Sequence, residues 1–448
     1  MSRDASADAA SRRDIARASV RWFERMLIVG IVLWAAWIQT ASAIPAHEAR
    51  LRTFALAAAG LGFDLVEWEV TSLRAKARAF IAQPAAGLSE ADATSLVREY
   101  MARAVTLGHL ERELEARISQ PDVAAEENSA VADLRAEIDA LRTLQGAERP
   151  TVEAILEQQV TWALQEAGLG VGARILPPVK FAFTEPPRKV IVSPRDRIAM
   201  EYTRMVEAGL PLDTLESIES RIGAQTNAVG YVSNIGGLGA YPSMVVDRAT
   251  LSWVISTIAH EWVHNYLTFF PLGLFYFGSG DLTTMNETVA DIVGEEIGLL
   301  VLERYYPDLV PPEALVETTQ APESDRGAAE GVPAVFDFRA EMRTTRLEVD
   351  RLLAAGLIEE AEAYMEMRRQ LFVENGYIIR VLNQAYFAFH GSYATSPASV
   401  SPIGPKMAAL RAAAADLPGF LHTVRWFTAQ ADLDQALIDR DVVLPAGS

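Results

Sequence analysis

The sequence predicts an α+β protein, in which a small sheet is followed by a helical half and preceded by a long helical region. Between residues 49 and 172, apolar side chains recur at spacings of three and four, the period of an amphipathic helix. Short β-rich runs bounded by proline and glycine occupy residues 176–246, and helical periodicity returns beyond Ser252. No internal repeat is present, so these changes of pattern define the regions of the chain.

Composition narrows the class of protein. The chain has 448 residues, 50% of them hydrophobic and 22% charged, which is enough for two or three globular domains. Its 40 Lys and Arg against 59 Asp and Glu give a net charge of −19, and we expect no nucleic-acid partner because phosphate binding needs a basic surface. The absence of cysteine excludes disulfides and thiolate metal sites. Any metal must therefore be held by His, Asp or Glu.

The N-terminal segment predicts a membrane anchor. Residues 1–25 contain six arginines, and residues 26–46 (MLIVGIVLWAAWIQTASAIPA) carry no charge. A helix of that length rises roughly 30 Å, about the hydrocarbon thickness of a bilayer. The positive-inside rule makes residues 1–25 a cytoplasmic basic tail and residues 26–46 a transmembrane anchor in the lipid bilayer. We expect a single-pass protein of the bacterial cytoplasmic (inner) membrane, with the remainder extracytoplasmic.

A cleaved signal peptide is the main alternative for this segment; a buried core helix is another, although it would leave the flanking arginines unexplained. The strictly apolar stretch Met26–Ile38 has only 13 residues, and Ala41-Ser42-Ala43 fits an A-x-A cleavage site. The anchor and the signal peptide both export the rest of the chain.

Residues 47–175 are predicted to form a helical stalk or bundle. A break is expected at Gln120-Pro121-Asp122, and the charged runs are interpreted as solvated helix faces. Such a stalk offers a surface for self-association of the chain. The periodic segments are Leu51–Trp68, Glu90–Ile118, Asn128–Leu144 and Pro150–Ala167.

The region after the stalk is predicted to begin with strands. Val179–Phe183 and Lys189–Val192 flank a Pro-Pro pair and predict a hairpin, and Ala228–Val246 is again strand-like. Helices are expected to follow to about Phe389. They are interrupted by Thr318–Pro333, which is rich in Glu, Ala, Gly and Pro and predicts a surface loop.

One predicted helix carries a metal-binding pattern. The segment ISTIAHEWVHNYL contains His-Glu-x-x-His at His260, Glu261 and His264. Residues four apart lie on one helix face, so both imidazoles can reach a single Zn²⁺. Glu261 can then act as general base towards the bound water. The alternative is a pair of core histidines on an amphipathic helix.

A second helical segment supplies carboxylates. Glu287 and Asp291, in NETVAD, are four apart and share a face. One carboxylate can complete the three-ligand shell of a catalytic zinc, and the other can accept the second ring N–H of a ligand histidine. Two carboxylates on an otherwise apolar helix need a positive partner, which a metal supplies.

HEWVH followed by NETVAD resembles the gluzincin metallopeptidases, the thermolysin-like group with a HExxH helix and a NExxxD-type second helix. The resemblance covers Val229–Tyr306 and implies a thermolysin-like zincin core within a metallopeptidase domain at residues 176–448. The chain has no GAMEN motif, so the specificity of gluzincin aminopeptidases for a free amino terminus is not supported. The resemblance further implies one Zn²⁺ per chain and roles for five residues: the ligands His260, His264 and Glu287, the catalytic base Glu261, and Asp291 as hydrogen-bond partner of a ligand histidine.

Gluzincins hold their substrate along an edge strand that precedes the HExxH helix, and the matching segment here is Ser233–Met244. Within it, Gly236 and Gly237 let a peptide backbone approach closely, and Tyr241 precedes Pro242, which is tolerated at a sheet edge. The substrate then pairs as an added strand. Alternatively, the glycine pair forms only a bulge or a turn.

Peptidases of this type also need a neutral donor for the oxyanion, for which His390 and Tyr393 are the candidates. Both lie at the end of a helical run beside Gly391, where side chains can point into a cleft. For His390, the alternative is a packed core histidine. The aromatic run Tyr266–Phe277 is too short to span a membrane and is predicted to wall the cleft, or alternatively to dip into the membrane face.

Together these features predict a membrane-anchored zinc endopeptidase of the cell envelope that acts on a peptide or protein substrate. One alternative is a zinc exopeptidase or amidase acting on cell-wall or small peptides, which an enclosed pocket rather than an open cleft would favour. The other is a non-catalytic envelope scaffold in which zinc is structural.

Overall fold

A computed structural model describes residues 49–118, 125–172, 174–311, 336–393 and 396–442. The chain divides into two compact units, one ending at Ala59 and the other beginning at Gly60. The predicted tail and anchor (residues 1–46), the predicted break at residues 120–122 and the predicted loop at residues 318–333 lie outside the described residues. Within the described ranges, no helix combines the length and apolarity that a bilayer crossing requires.

The first helices differ from the predicted ones at one point. The prediction of a single helix at Leu51–Trp68 is wrong. Two helices occupy this region, helix α1 (Ala49–Ala57) and helix α2 (Leu65–Ala82). Gly60 adopts a φ of +79°, and the Asp64 carboxylate caps α2 by accepting the Glu67 N–H at 2.9 Å. A positive φ and an N-cap both interrupt a helix, and apolar periodicity does not reveal either.

Helix α3 (Glu90–Ile118) has the predicted bounds, whereas helix α4 (Ala125–Glu166) runs through both later predicted segments and contains Pro150. The prediction of two helices there is wrong. A proline inside a helix costs about 3 kcal/mol, but one buried aliphatic side chain returns about 1.5–3 kcal/mol. Such side chains lie on both sides of Pro150: Leu134 and Ile138 pack with α3, and Val152, Ile155 and Leu156 join the main core.

Two three-stranded sheets follow. Their strands are β1 (Phe181–Phe183), β2 (Arg188–Pro194), β3 (Tyr202–Val206), β4 (Ala228–Ser233), β5 (Gly237–Leu238) and β6 (Ser243–Val245), with helix α5 (Leu212–Gln225) before β4. One sheet has the order β3-β2-β4 and is antiparallel. The other has the order β1-β6-β5, with β1 parallel and β5 antiparallel to β6.

The predicted hairpin of β1 with β2 is wrong, because these strands belong to different sheets. Phe181 pairs with Ser243, whereas Lys189 pairs with Met205 and Ser233. Pro186 and Pro187 cannot donate the hydrogen bonds of a ladder, so the chain leaves one sheet there and enters the other.

Helices form the rest of the chain and continue past Phe389, where they were expected to end. Leu251 and later residues build one core with α3, α4 and β1, so the core continues across the boundary predicted at residue 175. The architecture is mixed α and β with small sheets, as predicted. The helices are α6 (Leu251–Leu267), α7 (Pro271–Leu274), α8 (Gly280–Tyr305), α9 (Phe338–Ala354), α10 (Ile358–Glu374), α11 (Gln384–His390), α12 (Ile403–Ala413), α13 (Leu417–Val424) and α14 (Gln430–Ile438).

Candidate metal centre

Two adjacent helices, α6 and α8, carry the motif residues. The Thr250 hydroxyl caps α6 and the Ser279 hydroxyl caps α8 by accepting the Leu282 N–H at 3.2 Å. Buried apolar residues of both helices, among them Ile258 and Val289, fix their inner faces in the main core. The caps and the buried faces therefore fix the positions of the two helices, and the polar motif residues of α6 and α8 meet between them.

Glycines set the distance between these helices. A Cβ atom on Gly294 would lie 2.9 Å from the Ser256 carbonyl oxygen, and one on Gly298 would lie 2.2 Å from the Ser256 hydroxyl. Neither position has room for a side chain. Glycine at both positions therefore lets α8 pack against α6 more closely than any larger residue would permit. This close packing brings Glu287, about two turns before Gly294, and Asp291, about one turn before it, next to the histidines.

Three donor atoms converge between the helices. The Nε2 atoms of His260 and His264 are 3.0 Å apart, and the Oε2 atom of Glu287 lies 3.4 Å from the first and 3.6 Å from the second. A tetrahedral zinc ion with bonds of 2.0–2.2 Å separates its ligand atoms by about 3.3 Å. Within the described ranges, these three residues form the one group of His, Asp and Glu that could hold a metal ion.

The opposite nitrogen of each imidazole is held by an oxygen acceptor. His260 Nδ1 lies 3.0 Å from Asp291 Oδ1, as the resemblance implied, and His264 Nδ1 lies 2.7 Å from Asn286 Oδ1. The Asn286 amide donates to the Leu272 carbonyl at 3.1 Å, which fixes its orientation. Both rings therefore present Nε2 to the donor cluster.

Asn286 and Tyr276 were not assigned a role from the sequence. The Tyr276 hydroxyl donates to Glu287 Oε1 and so directs the other carboxylate oxygen towards the histidines. The signal for Asn286 was its position directly before Glu287 in NETVAD. Tyr276 lies in the aromatic run, where nothing in the local sequence distinguishes it from its neighbours.

The electrostatics of this cluster favour a cation. Burial alone would lower the pKa of His260, but its hydrogen bonds to Asp291 and Glu287 raise that pKa to about 10. Burial alone would raise the pKa of Glu287, but the two histidines hold it well below its usual range. The carboxylates thus stabilise positive charge among the donor atoms, which a metal ion can supply in place of a proton.

Glu261 lies beside the cluster but outside its hydrogen bonds. Its Oε2 atom is buried without a hydrogen-bond partner in the described structure, and burial raises the pKa of its carboxyl group. A Cβ atom on Gly237 would lie 2.2 Å from Glu261 Oε1, so β5 leaves room for this carboxylate only because that residue is glycine. An unpaired buried carboxylate of this kind is a ready proton acceptor.

The predicted substrate segment is only partly at the site. Strand β5 is an edge strand and lies beside Glu261. Gly236 instead contacts the Trp253 ring: a Cβ atom on Gly236 would lie 2.6 Å from that ring, so the position has no room for a side chain. Tyr241 lies between β5 and β6, outside the residues that line the cleft, and its hydroxyl donates to the Pro178 carbonyl at 3.2 Å.

The cluster opens into a cleft of about 790 Å³ whose lining includes His390, Tyr393, Tyr276 and Phe277. The aromatic run therefore contributes to the wall of the cleft, as predicted. Burial lowers the pKa of His390 to about 4, so this imidazole is neutral, and its Nε2 lies 3.4 Å from the Tyr231 hydroxyl.

Of the two oxyanion candidates, Tyr393 is the one whose pKa responds to the carboxylates of the motif cluster. Burial raises the pKa of its phenol well above the usual range, and the carboxylates of Glu287, Glu261 and Asp291 raise it further. The phenol thus remains a proton donor in the field of these groups. His390 instead packs against the Tyr386 ring, with 4.2 Å between the ring centroids.

Comparisons of the chain with protein-family models, with curated proteins and with solved structures find no match. The resemblance to the gluzincins therefore depends on the two sequence motifs alone and stays a prediction. Any function must be inferred from the side chains of the cleft themselves.

Proposed function

We propose that this protein is a zinc-dependent hydrolase of peptide bonds, with a thermolysin-like core inside residues 176–448. The observation that carries the proposal is the convergence of His260, His264 and Glu287 beside the unpaired carboxylate of Glu261. Two imidazoles and one carboxylate are the donor set of a class of catalytic zinc sites. The zincin core and the gluzincin relationship are parts of the same proposal.

The donor set fits a zinc ion on several independent grounds. The separations of 3.0–3.6 Å between donor atoms are those of a tetrahedral shell. Asp291 and Asn286 hold both rings in the tautomer that leaves Nε2 free to bind. When bound there, zinc supplies a Lewis acid that polarises the peptide carbonyl and acidifies water.

In the proposed reaction, Glu261 moves the proton. Its Oε2 atom takes a proton from the attacking water and delivers it to the amine nitrogen as the C–N bond breaks. The raised pKa of this carboxyl group suits both halves of that transfer. Tyr393 donates a hydrogen bond to the oxygen on which negative charge develops.

Strand β5 positions the substrate in this proposal. Its outer edge has no partner strand in the described sheet, so an extended peptide can pair with it. Gly237 lies on that strand and directly against Glu261, so a peptide paired there runs past the catalytic base. An open strand edge favours an endopeptidase, whereas an enclosed pocket would favour an exopeptidase or amidase.

The scaffold alternative predicts a different site. Structural zinc sites are closed by four protein ligands, whereas the described residues supply three at this cluster, and the cluster faces an open cleft. An open ligand position is the arrangement that catalysis needs. The proposed anchor at residues 26–46 would place this cleft at the outer face of the cytoplasmic membrane.

The substitution Glu261→Gln tests the proposal. Because glutamine keeps the shape of the side chain but cannot take a proton, we expect peptide hydrolysis to fall about 10²- to 10⁴-fold with zinc content unchanged. Turnover of fluorogenic peptides and elemental analysis measure the two quantities. The control is Glu303→Gln, an exposed position of α8, which should match the wild type. Undiminished hydrolysis by the Glu261 variant would show that the base lies elsewhere.

A further inference from the structure

The chain contains four lysines, and three of them are neutralised within the protein. Lys76 pairs with Glu153 and Glu157 at 2.6 and 2.7 Å. Lys180 also pairs with Glu157, and Lys406 pairs with Asp434 at 2.7 Å. Lys189 makes no ion pair with any residue that the structure describes, so its ammonium group is the exception.

This exceptional lysine lies in the cleft of the candidate metal centre. Strand β2 holds Lys189 between Met205 of β3 and Ser233 of β4, and its Nζ atom lies 5.6 Å from the centroid of the Phe389 ring. Among the described residues that line the cleft, Lys189 is the one lysine or arginine.

The environment of this ammonium group is unfavourable in the free protein. Burial lowers the pKa of Lys189, and Glu287 is the one charged group that acts to raise it. Glu287 is already hydrogen-bonded to Tyr276 and directed at the histidines, so it does not neutralise the lysine. A partly desolvated ammonium group without a counter-ion gains free energy when a ligand supplies a carboxylate.

We propose that Lys189 binds a carboxylate of the peptide substrate and so selects peptides that carry one near the scissile bond. The inference depends on the proposed peptide hydrolysis for its substrate class. The cleft otherwise presents the carboxylates of Glu261, Glu287, Asp291 and Glu295, which repel anions. Apart from the proposed zinc ion, Lys189 is therefore the one cation that the described lining offers to a substrate carboxylate. It can come from the C-terminus of a peptide or from an Asp or Glu side chain, and the chemistry at Lys189 is the same.

The test measures binding separately from hydrolysis. Full-length protein carrying Glu261→Gln, loaded with zinc, is titrated calorimetrically with one peptide sequence in four forms: free or amidated at the C-terminus, with Glu or Gln beside the scissile bond. The forms with a carboxylate should bind about 10- to 100-fold more tightly, and adding Lys189→Met should remove that preference. The free-terminus pair and the Glu/Gln pair show which carboxylate is bound.

Three further variants make the result specific to the charge at this position. Lys189→Arg should keep most of the preference, Lys189→Gln should lose it as the methionine does, and Lys406→Met should leave it unchanged. Equal binding of all four peptides, absence of binding, or a uniform loss of affinity in the Lys189 variants would each overturn the proposal.

Hydrolysis by the wild type is measured with the same peptides. A Lys189-dependent preference in binding without hydrolysis supports this inference and contradicts the proposed function. Hydrolysis without a carboxylate preference in binding supports the proposed function and contradicts this inference.

Discussion

Two clusters of buried charge occupy the main unit, and they are neutralised in different ways. The first, which we call the closed cluster, consists of Lys76, Lys180, Glu153 and Glu157 and joins α2, α4 and the segment of β1. The second consists of the motif residues on α6 and α8. In the closed cluster, two lysines balance two glutamates, and Glu153 also accepts the Phe183 N–H at 2.7 Å.

The motif cluster lacks that internal balance. Glu261 and Glu287 face two histidines, and no lysine or arginine among the described residues forms an ion pair with either carboxylate. Unpaired buried charge is costly in a protein interior, and a cation can offset it. The comparison teaches that the closed cluster is neutralised by its own lysines, whereas the motif cluster is completed by a metal ion in the proposed function. Substitutions in the two clusters should therefore affect different properties.

The largest effect is expected from His264→Ala. Because this substitution removes one of the three proposed ligands, we expect zinc affinity to fall on the order of 10³- to 10⁴-fold and peptide hydrolysis to be lost with it. Titration against a competing chelator measures the affinity. The control is His422→Ala, at an exposed histidine of α13. If the His264 variant retains zinc with wild-type affinity, the ligand assignment is wrong.

The second effect concerns stability rather than metal. Lys76→Met leaves Glu153 and Glu157 with one lysine between them, so we expect the free energy of unfolding to fall by about 3–5 kcal/mol, with zinc affinity unchanged. Urea titration of the purified chain measures this change. Lys406→Met, which breaks a pair with the half-exposed Asp434, should cost less than about 1 kcal/mol. Equal losses in the two variants would contradict the distinction between buried and exposed pairs.

The smallest effect sharpens the comparison within the motif cluster. Asn286→Ala and Asp291→Ala each free one Nδ1 atom, and we expect zinc affinity to fall about 10- to 100-fold in each variant. Asn286→Asp keeps an oxygen acceptor at the same place and should retain the zinc affinity that alanine loses. Chelator competition again gives the values. Unchanged affinity in both alanine variants would mean that the imidazoles are oriented by packing alone.

These results also show which parts of the site the sequence could predict. His260, Glu261 and His264 lie on one helix, and Glu287 and Asp291 on another, so the helical period predicts each set. The meeting of the two helices was not predictable from periodicity. It depends on Gly294 and Gly298, which contact Ser256 of α6 in the folded protein, and this contact between distant residues is not visible in the sequence.

Features that depend on distant pairing were missed for the same reason. Lys189 reaches the cleft because β2 pairs with β4. Strand β1 pairs with β6, which lies about 60 residues later in the sequence. A local pattern favoured the nearer partner and gave the wrong hairpin. Pro150 failed as a helix boundary because packing on either side outweighs the local preference.

The length of α4 has a structural consequence. Its 42 residues span about 63 Å, and its first half packs with α3 in a small core of its own around Leu107 and Ile138. Its second half holds β1 through Glu153, and the Pro177 carbonyl just before β1 accepts the Trp262 indole N–H at 2.8 Å. The helix therefore links two separate cores of the described structure. Through these contacts the distal core is connected to the turn of α6 that lies between His260 and His264, the two proposed metal ligands.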